Sequence, residues 1–204
     1  MPNLKLTYFN IKARGEPIRL ALAVQGIPFE DERLSGEQFG QLKASGGLPF
    51  DQLPVLTVDN KIIAQSTAIL RYVGRLGKTP LYPTDPYLAA VVDQVISQVQ
   101  DVEGALKPSG AEADVEKKLA LRAKLATETF PKLFKQLDTF IEKHQAELAN
   151  ISIGHLFLYQ MNTSYSAGAY DGIPKTILEP YENIKKIVAQ VKANPAVVQW
   201  ESTH

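Results

Sequence analysis

Two dipeptides in the first third of the chain carry groups able to hold a small peptide. In Leu53-Pro54 the proline abuts a short apolar run, Val55 to Val58. A proline has no N–H to give to a sheet ladder, so it belongs at a strand start, an edge or a bulge. Frequency alone favours a trans bond there, because cis is the minority state of an X-Pro bond. A cis bond would turn the chain sharply and leave the backbone N–H and C=O of Leu53 free to pair with a peptide-like ligand lying alongside. In Gln65-Ser66 the serine stands before a helical pattern and reads as its N-cap. A helix start offers unpaired N–H groups and the positive end of a dipole. A carboxylate could dock there on Ser66 and the backbone, with Gln65 alongside. A strand-start proline and a simple cap would each explain one dipeptide alone. Only ten residues, 55 to 64, separate the two, however, so both should open on one side of a hairpin.

A third piece lies in LTYFNIKARGEPIR, where Tyr8 ends a strand-like run and Arg14 sits in the turn after it. A tyrosine in a strand usually serves packing. This one, however, stands at the open end of a sheet, where ligand sites of α/β folds form. The chain has no cysteine. A cysteine nucleophile, disulfide exchange and a thiolate metal site are thereby removed, and any sulfur chemistry must use a sulfur that the ligand brings. His144, His155 and His204 show no metal-ligand spacing and no Ser/His/Asp arrangement, so no metal is expected. Twenty-two basic residues balance twenty-two acidic ones. That balance gives no support to binding of nucleic acid or an acidic membrane by bulk charge. No apolar run is long enough to span a bilayer, and MPNLKLTYFN lacks a secretory core, so a cytoplasmic location is the expectation.

The elements that must position these residues read as β-α-β-α-β-β-α. Strand signals cover Leu4 to Phe9 and Pro28 to Arg33, with a largely buried helix from Pro17 to Gly26 between them. A weak short helix follows over Gly36 to Lys43. Next come a hairpin, Val55 to Val58 and Lys61 to Ala64 around Asp59-Asn60, and a helix from Ser66 to about Leu76. This is an α/β unit with a mixed sheet, residues 1–77. Pro80, Pro83 and Pro86 stiffen a linker over 78–86, and beyond it the pattern is all-α to residue 204. Helical spacing runs over Leu88 to Leu106, Glu112 to Lys143, Ser152 to Ser166 and Lys175 to Lys192, and Asn194-Pro195 begins a last short helix. In the second of these Pro131 should bend or divide the helix, with Leu119, Leu125, Leu133, Leu137 and Ile141 facing inward.

The stretches MPNLKLTYFNIKARGEPIRLAL and PFDQLPVLTVDNKIIAQSTAILRYVGR, with NPAVVQW near the end, resemble the glutathione transferases. Within them the likeness is to the sigma class, which includes haematopoietic prostaglandin D synthases and invertebrate sigma enzymes. It is dense over about residues 1–77 and thinner in the helical part. The resemblance implies a thioredoxin-like N-terminal domain with a mixed four-stranded sheet and three helices. It also implies an all-helical domain supplying a hydrophobic substrate pocket, and a homodimer. Glutathione would be the co-substrate and small hydrophobic electrophiles the acceptors, as in detoxification. Carried over by position, Tyr8 would hydrogen-bond the glutathione sulfur and Arg14 would lie near the reacting centre. Phe39, Lys43, Gln52, Leu53, Pro54, Gln65 and Ser66 would line the tripeptide, with Lys43 on the glycyl carboxylate and Gln65-Ser66 on the γ-glutamyl end. Asp101 would reach the γ-glutamyl amine of the partner subunit, and Phe9, Ala13, Leu106 and Tyr159 would face the second substrate.

Three positions depart from the pattern that this resemblance implies. Phe39 stands where sigma members usually carry tryptophan, and losing an indole donor should weaken glutathione binding by about 1 kcal/mol. EGALKP, residues 103–108, lacks the aromatic character of the prostaglandin isomerase pocket, which argues against that activity. His155 replaces an aspartate three residues after a Ser/Thr helix cap, weakening a capping box that a neutral imidazole could still partly serve. The competing readings are a glutathione-dependent isomerase or peroxidase acting on lipids, and a non-catalytic binding protein of the S-crystallin kind.

Overall fold

The computed structural model describes residues 2–204. The chain forms two compact units: residues up to Pro83 together with Asn194–His204, and Thr84–Ala193.

The first unit contains β1 (Leu4–Phe9), α1 (Glu16–Val24), β2 (Glu30–Leu34), α2 (Gly36–Ala44), β3 (Val55–Val58), β4 (Lys61–Ala64) and α3 (Ser66–Val73). Its sheet has the order β2-β1-β3-β4, with β1 parallel to β2 and antiparallel to β3, and β3 antiparallel to β4. The parallel pair needs a crossover, which α1 supplies, and the antiparallel pair closes through the two-residue turn at Asp59-Asn60. Asp59 holds that turn to the start of β1: its carboxylate accepts from the Asn3 N–H at 3.0 Å and its own N–H donates to the Asn3 carbonyl at 2.9 Å. Leu4, Leu6 and Tyr8 on β1 and Ile18, Leu20, Ala21 and Leu22 on α1 are buried in the core. The weak pattern of α2 is secured by a capping box. Ser35 Oγ accepts from the Gln38 N–H at 3.2 Å, and Gln38 Oε1 accepts from the Ser35 N–H at 2.8 Å. This is the mixed four-stranded, thioredoxin-like domain that the resemblance implies.

The second unit is helical: α4 (Pro86–Ala111), α5 (Val115–Lys124), α6 (Phe130–Lys143), α7 (Ile153–Ala167) and α8 (Glu182–Lys192). Val91, Val92, Val95, Ile96, Val99 and Val102 form the buried face of α4. Asp85 caps that helix through a 2.9 Å bond from the Leu88 N–H, so Pro86 belongs to the helix rather than to the linker.

Two expectations change here. The stretch Glu112 to Lys143 is divided by a π-helical turn, Leu125–Thr129, just before Pro131. A π turn holds one residue more than an α turn, which rotates the faces on either side by roughly 100° relative to each other. Leu119, expected inward, is 39% exposed, while Arg122 is buried in its place and Phe130 and Phe134 fill the core beyond the turn. The guanidinium of Arg122 donates to Ser109 Oγ at 3.3 Å and to the Asp171 carbonyl at 3.2 Å. The second change is at the end of the chain. The last helix, α9 (Pro195–Thr203), packs on α1 rather than staying with the helical unit. Trp200 Nε1 donates to the buried Glu16 carboxylate at 2.9 Å, and its ring lies 5.8 Å from that of Phe29. Burying an indole is favourable only where its N–H finds an acceptor, and Glu16 provides one.

Two helix starts in the second unit are tied down by buried side chains. Asp138 on α6 accepts from the N–H groups of Asn183 and Ile184, at 2.8 and 3.1 Å, and from Asn183 Nδ2 at 3.2 Å. At α7, His155 is buried, with Nε2 3.1 Å from the Leu148 carbonyl and Nδ1 2.9 Å from Ser152 Oγ. A carbonyl only accepts, so Nε2 carries the proton and the Ser152 hydroxyl donates to Nδ1. The two residues of the weakened capping box therefore bond to each other, and Ser152 makes no side-chain bond to the helix backbone. Burial pushes the His155 imidazole down to about 4, partly offset by the bond to the Leu148 carbonyl.

Candidate functional site

Residues Val55 and Ala64 face each other in the register of the hairpin, so the chain segments just outside it, Pro54 and Gln65, are neighbours. A cleft forms there, lined by Arg14, Phe50, Gln52, Leu53, Pro54, Ala64, Gln65 and Ser66. The Leu53–Pro54 bond is cis, against the trans expectation. The trans preference before proline is only about 0.5–1 kcal/mol, so frequency is a weak guide at any one position. Strand β3 starts at Val55, and the backbone groups of Leu53 lie outside its ladder.

The start of α3 also differs from the expectation. Gln65, not Ser66, is the residue before the helix, with φ 71° and ψ 113°, while Ser66 is already its first helical residue. The Gln65 side chain does not cap this end. The first N–H groups of the helix therefore point toward the cleft without an intrahelical partner, which is the anion-binding arrangement expected of Ser66 but built on the backbone. A non-glycine residue with φ in the left-handed region is uncommon and tends to sit at functional turns. Gln65 and Asp51, at φ 51°, are two such residues beside one cleft.

Tyr8 is 5% exposed and packs with Leu48, Leu53 and Val55, with Phe9, Ala13 and Phe39 around them. The Phe9 ring meets it edge-on at 5.5 Å, and Phe39 meets Phe9 edge-on at 5.3 Å. Position 39 thus contributes packing beside Tyr8. Arg14 is exposed on a short 3-10 turn, Ala13–Gly15, and Ala13 there takes φ 33°. Lys43 is exposed on α2 and does not line the cleft. Asp101, Leu106 and Tyr159 belong to the helical unit, where Asp101 is exposed, Leu106 half-buried and Tyr159 buried.

Sequence reasoning missed Arg19, a fully buried cation on α1. It donates to the carbonyls of Phe9 and Ile11, at 3.2 and 2.8 Å, and to Glu16 and Asp31, at 3.2 and 3.0 Å. It thereby ties the turn after β1, which carries Arg14, to the helix behind it. The signal was present in PIRLALAV, where one charge interrupts an otherwise apolar helix. A buried charge implies partners. Among the described residues no group of three or more His, Asp or Glu side chains is arranged to hold a metal ion, and no helix is long and apolar enough to cross a membrane.

Residues 4–75 match the family model of the glutathione S-transferase N-terminal domain, and residues 100–204 match that of its C-terminal domain. The chain belongs to the glutathione S-transferase family. It is 32% identical to glutathione S-transferase 1 of Ascaris suum over 98% of this chain and 96% of the relative. It is also similar to the structure of prostaglandin synthase D of Nilaparvata lugens, with a TM-score of 0.88 and 31% identity, covering 100% of this chain and 98% of that one. A monomeric glutathione S-transferase of the hookworm Necator americanus matches with a TM-score of 0.80 and 28% identity, over 99% and 97% of the two chains. Glutathione S-transferases use glutathione as co-substrate, and the expected enzyme class, glutathione transferase, is that of the family.

Proposed function

We propose that this protein is a sigma-class glutathione transferase that joins the glutathione sulfur to small apolar electrophiles, with Tyr8 stabilising the thiolate. The observation that carries the reading is the cleft beside the hairpin. A peptide-pairing backbone at Leu53, an uncapped helix start at Gln65-Ser66 and the cation Arg14 line it together, in a chain with no cysteine of its own. The γ-glutamyl carboxylate sits on the N–H groups of α3, and the cysteinyl backbone pairs with Leu53. Gln52 and Lys43 lie toward the glycyl end, and Asp101 of a partner subunit meets the γ-glutamyl amine.

An ordinary cysteinyl thiol has pKa about 8.5 and is only a few per cent ionised at neutral pH. A phenolic O–H donating to the sulfur stabilises its anion and lowers that pKa. Lowering it by about two units leaves most of the bound thiol ionised at neutral pH, each unit being worth about 1.4 kcal/mol. The thiol proton leaves to solvent, the thiolate attacks the electrophilic carbon, and a C–S bond forms as the leaving group departs with its electron pair. The assignments of Phe9, Ala13, Leu106 and Tyr159 to the second substrate belong to the same proposal, as do a cytoplasmic location and a homodimer.

Replacing Tyr8→Phe should raise the pKa of bound glutathione by about two units and lower the conjugation rate at neutral pH by about twenty-fivefold, with glutathione still bound. Thiolate absorbance and steady-state conjugation check both. If neither changes, the mechanism is wrong. The likeness to prostaglandin synthase D favours one second reading, isomerisation of lipid endoperoxides by the same thiolate. EGALKP, without an aromatic side chain in residues 103–108, weighs against it. Assaying an endoperoxide, a hydroperoxide and a halogenated aromatic side by side separates the two.

A further inference from the structure

We propose that Gly15 is a positioning residue for Tyr8, an inference that rests on the thiolate-stabilising role of that tyrosine. The backbone at Gly15, φ −77° and ψ −29°, is open to any residue, so conformation does not explain a glycine there. Space does. A Cβ on Gly15 would lie 2.5 Å from Cδ1 of Tyr8, 2.9 Å from Cγ and 3.2 Å from Cε1. The Cγ atom lies on the axis about which the ring turns, so flipping the ring cannot relieve that contact.

Neither side can retreat freely. The ring is enclosed by Leu48, Leu53 and Val55, with Phe9 on its edge at 5.5 Å and the Arg19 guanidinium 5.8 Å from its centroid. The turn is held by the Glu16 N–H donating to the Lys12 carbonyl at 3.0 Å. Glu16 itself is gripped by Arg19 and Trp200, and Arg19 also holds the carbonyls of Phe9 and Ile11. Restoring ordinary contact would need a shift of about 1 Å, larger than the roughly 0.5 Å tolerance of a catalytic hydrogen bond. The missing side chain of Gly15 therefore sets the angle at which the Tyr8 hydroxyl meets the sulfur.

The test is Gly15→Ala, alone and combined with Tyr8→Phe, read by calorimetric glutathione affinity, by the pKa of the bound thiol and by the pH profile of kcat/KM. The expected result is glutathione affinity within about threefold of wild type, with the thiol pKa and the acid limb of the profile raised by about one unit or more. Conjugation at neutral pH then falls at least about threefold. In the Tyr8→Phe background, Gly15→Ala should change neither quantity further, because the two act through one hydroxyl. A folded Gly15→Ala with unchanged thiol pKa overturns the proposal. So does an equal fold-loss in both backgrounds. If Gly15→Ala alone does not fold, Ala13→Gly is added. Ala13 holds φ 33°, and glycine there removes the cost of that backbone and restores stability while the methyl at position 15 stays against the ring. A folded double variant with a raised thiol pKa supports the proposal, since the methyl still displaces the ring, and one with the wild-type pKa overturns it. Failure of Tyr8→Phe to raise the thiol pKa would instead reject the role of Tyr8 itself.

Discussion

Neither α3 nor α8 is preceded by a residue whose side chain caps its own first turn: Gln65 stands before the one and Tyr181 before the other. At α8 the vacancy is filled from within the protein. Asp138, a buried carboxylate on α6, takes the N–H groups of Asn183 and Ile184. At α3 no such side chain arrives among the described residues, and the helix start lines a cleft with Arg14, Leu53 and Pro54. The same unsatisfied donors and the same dipole serve structure where the chain supplies the anion, and binding where it does not. A folded protein keeps such a group open only where solvent or a ligand can reach it, because a buried donor without a partner is destabilising by about 1–3 kcal/mol.

The largest effect should come from emptying the filled site. Asp138→Ala leaves the α8 start buried without its acceptor and should destabilise the protein by about 3 kcal/mol, measured by denaturant unfolding. A loss under about 1 kcal/mol would show that the carboxylate is not what holds that helix. A similar but pH-dependent loss is expected at α7. The folded His155 titrates near 4 and the unfolded one near 6.5, so the unfolded chain binds more protons between those values. Stability from this site is therefore complete above pH 6.5 and is lost as pH falls toward 4, by up to about 3 kcal/mol. His155→Asn should flatten that slope in unfolding curves taken across the window, and an unchanged slope would assign it to other groups. The smallest effect comes from filling the open site. Ser66→Asp places a carboxylate on the first turn of α3 and should stabilise the fold by about 0.5 kcal/mol. The same change should weaken glutathione binding about tenfold by occupying and repelling the ligand's place. Unchanged affinity in calorimetry would put the ligand carboxylate elsewhere.

Local patterns made much of the first unit readable. Two short apolar runs and the Asp59-Asn60 turn marked the hairpin at its observed residues, and the closeness of Pro54 to Gln65 followed from pairing alone. The cis state of the Leu53–Pro54 bond and the shift of the N-cap from Ser66 to Gln65 did not follow, because each is a small energy difference set by surroundings. In the helical unit the apolar face of α4 was legible, while the π turn at Leu125–Thr129 was not, and the phase error it introduced turned Leu119 outward. Periodicity reports which face is apolar only while the turn stays constant.

By itself, then, the amino-acid sequence determined the order of the elements, the family, the absence of an intrinsic thiol and the residues around the hairpin. These depend on neighbours in the chain, or on residue types that no fold can alter. Only the tertiary structure decided that Asp138 would serve a helix beginning at Glu182, that Trp200 would bring the last helix onto Glu16, and that Arg19 would hold the turn beside Tyr8. Each of those joins a buried polar group to a partner that chain order does not name, because a desolvated donor or charge is satisfied by whatever the packing brings within reach.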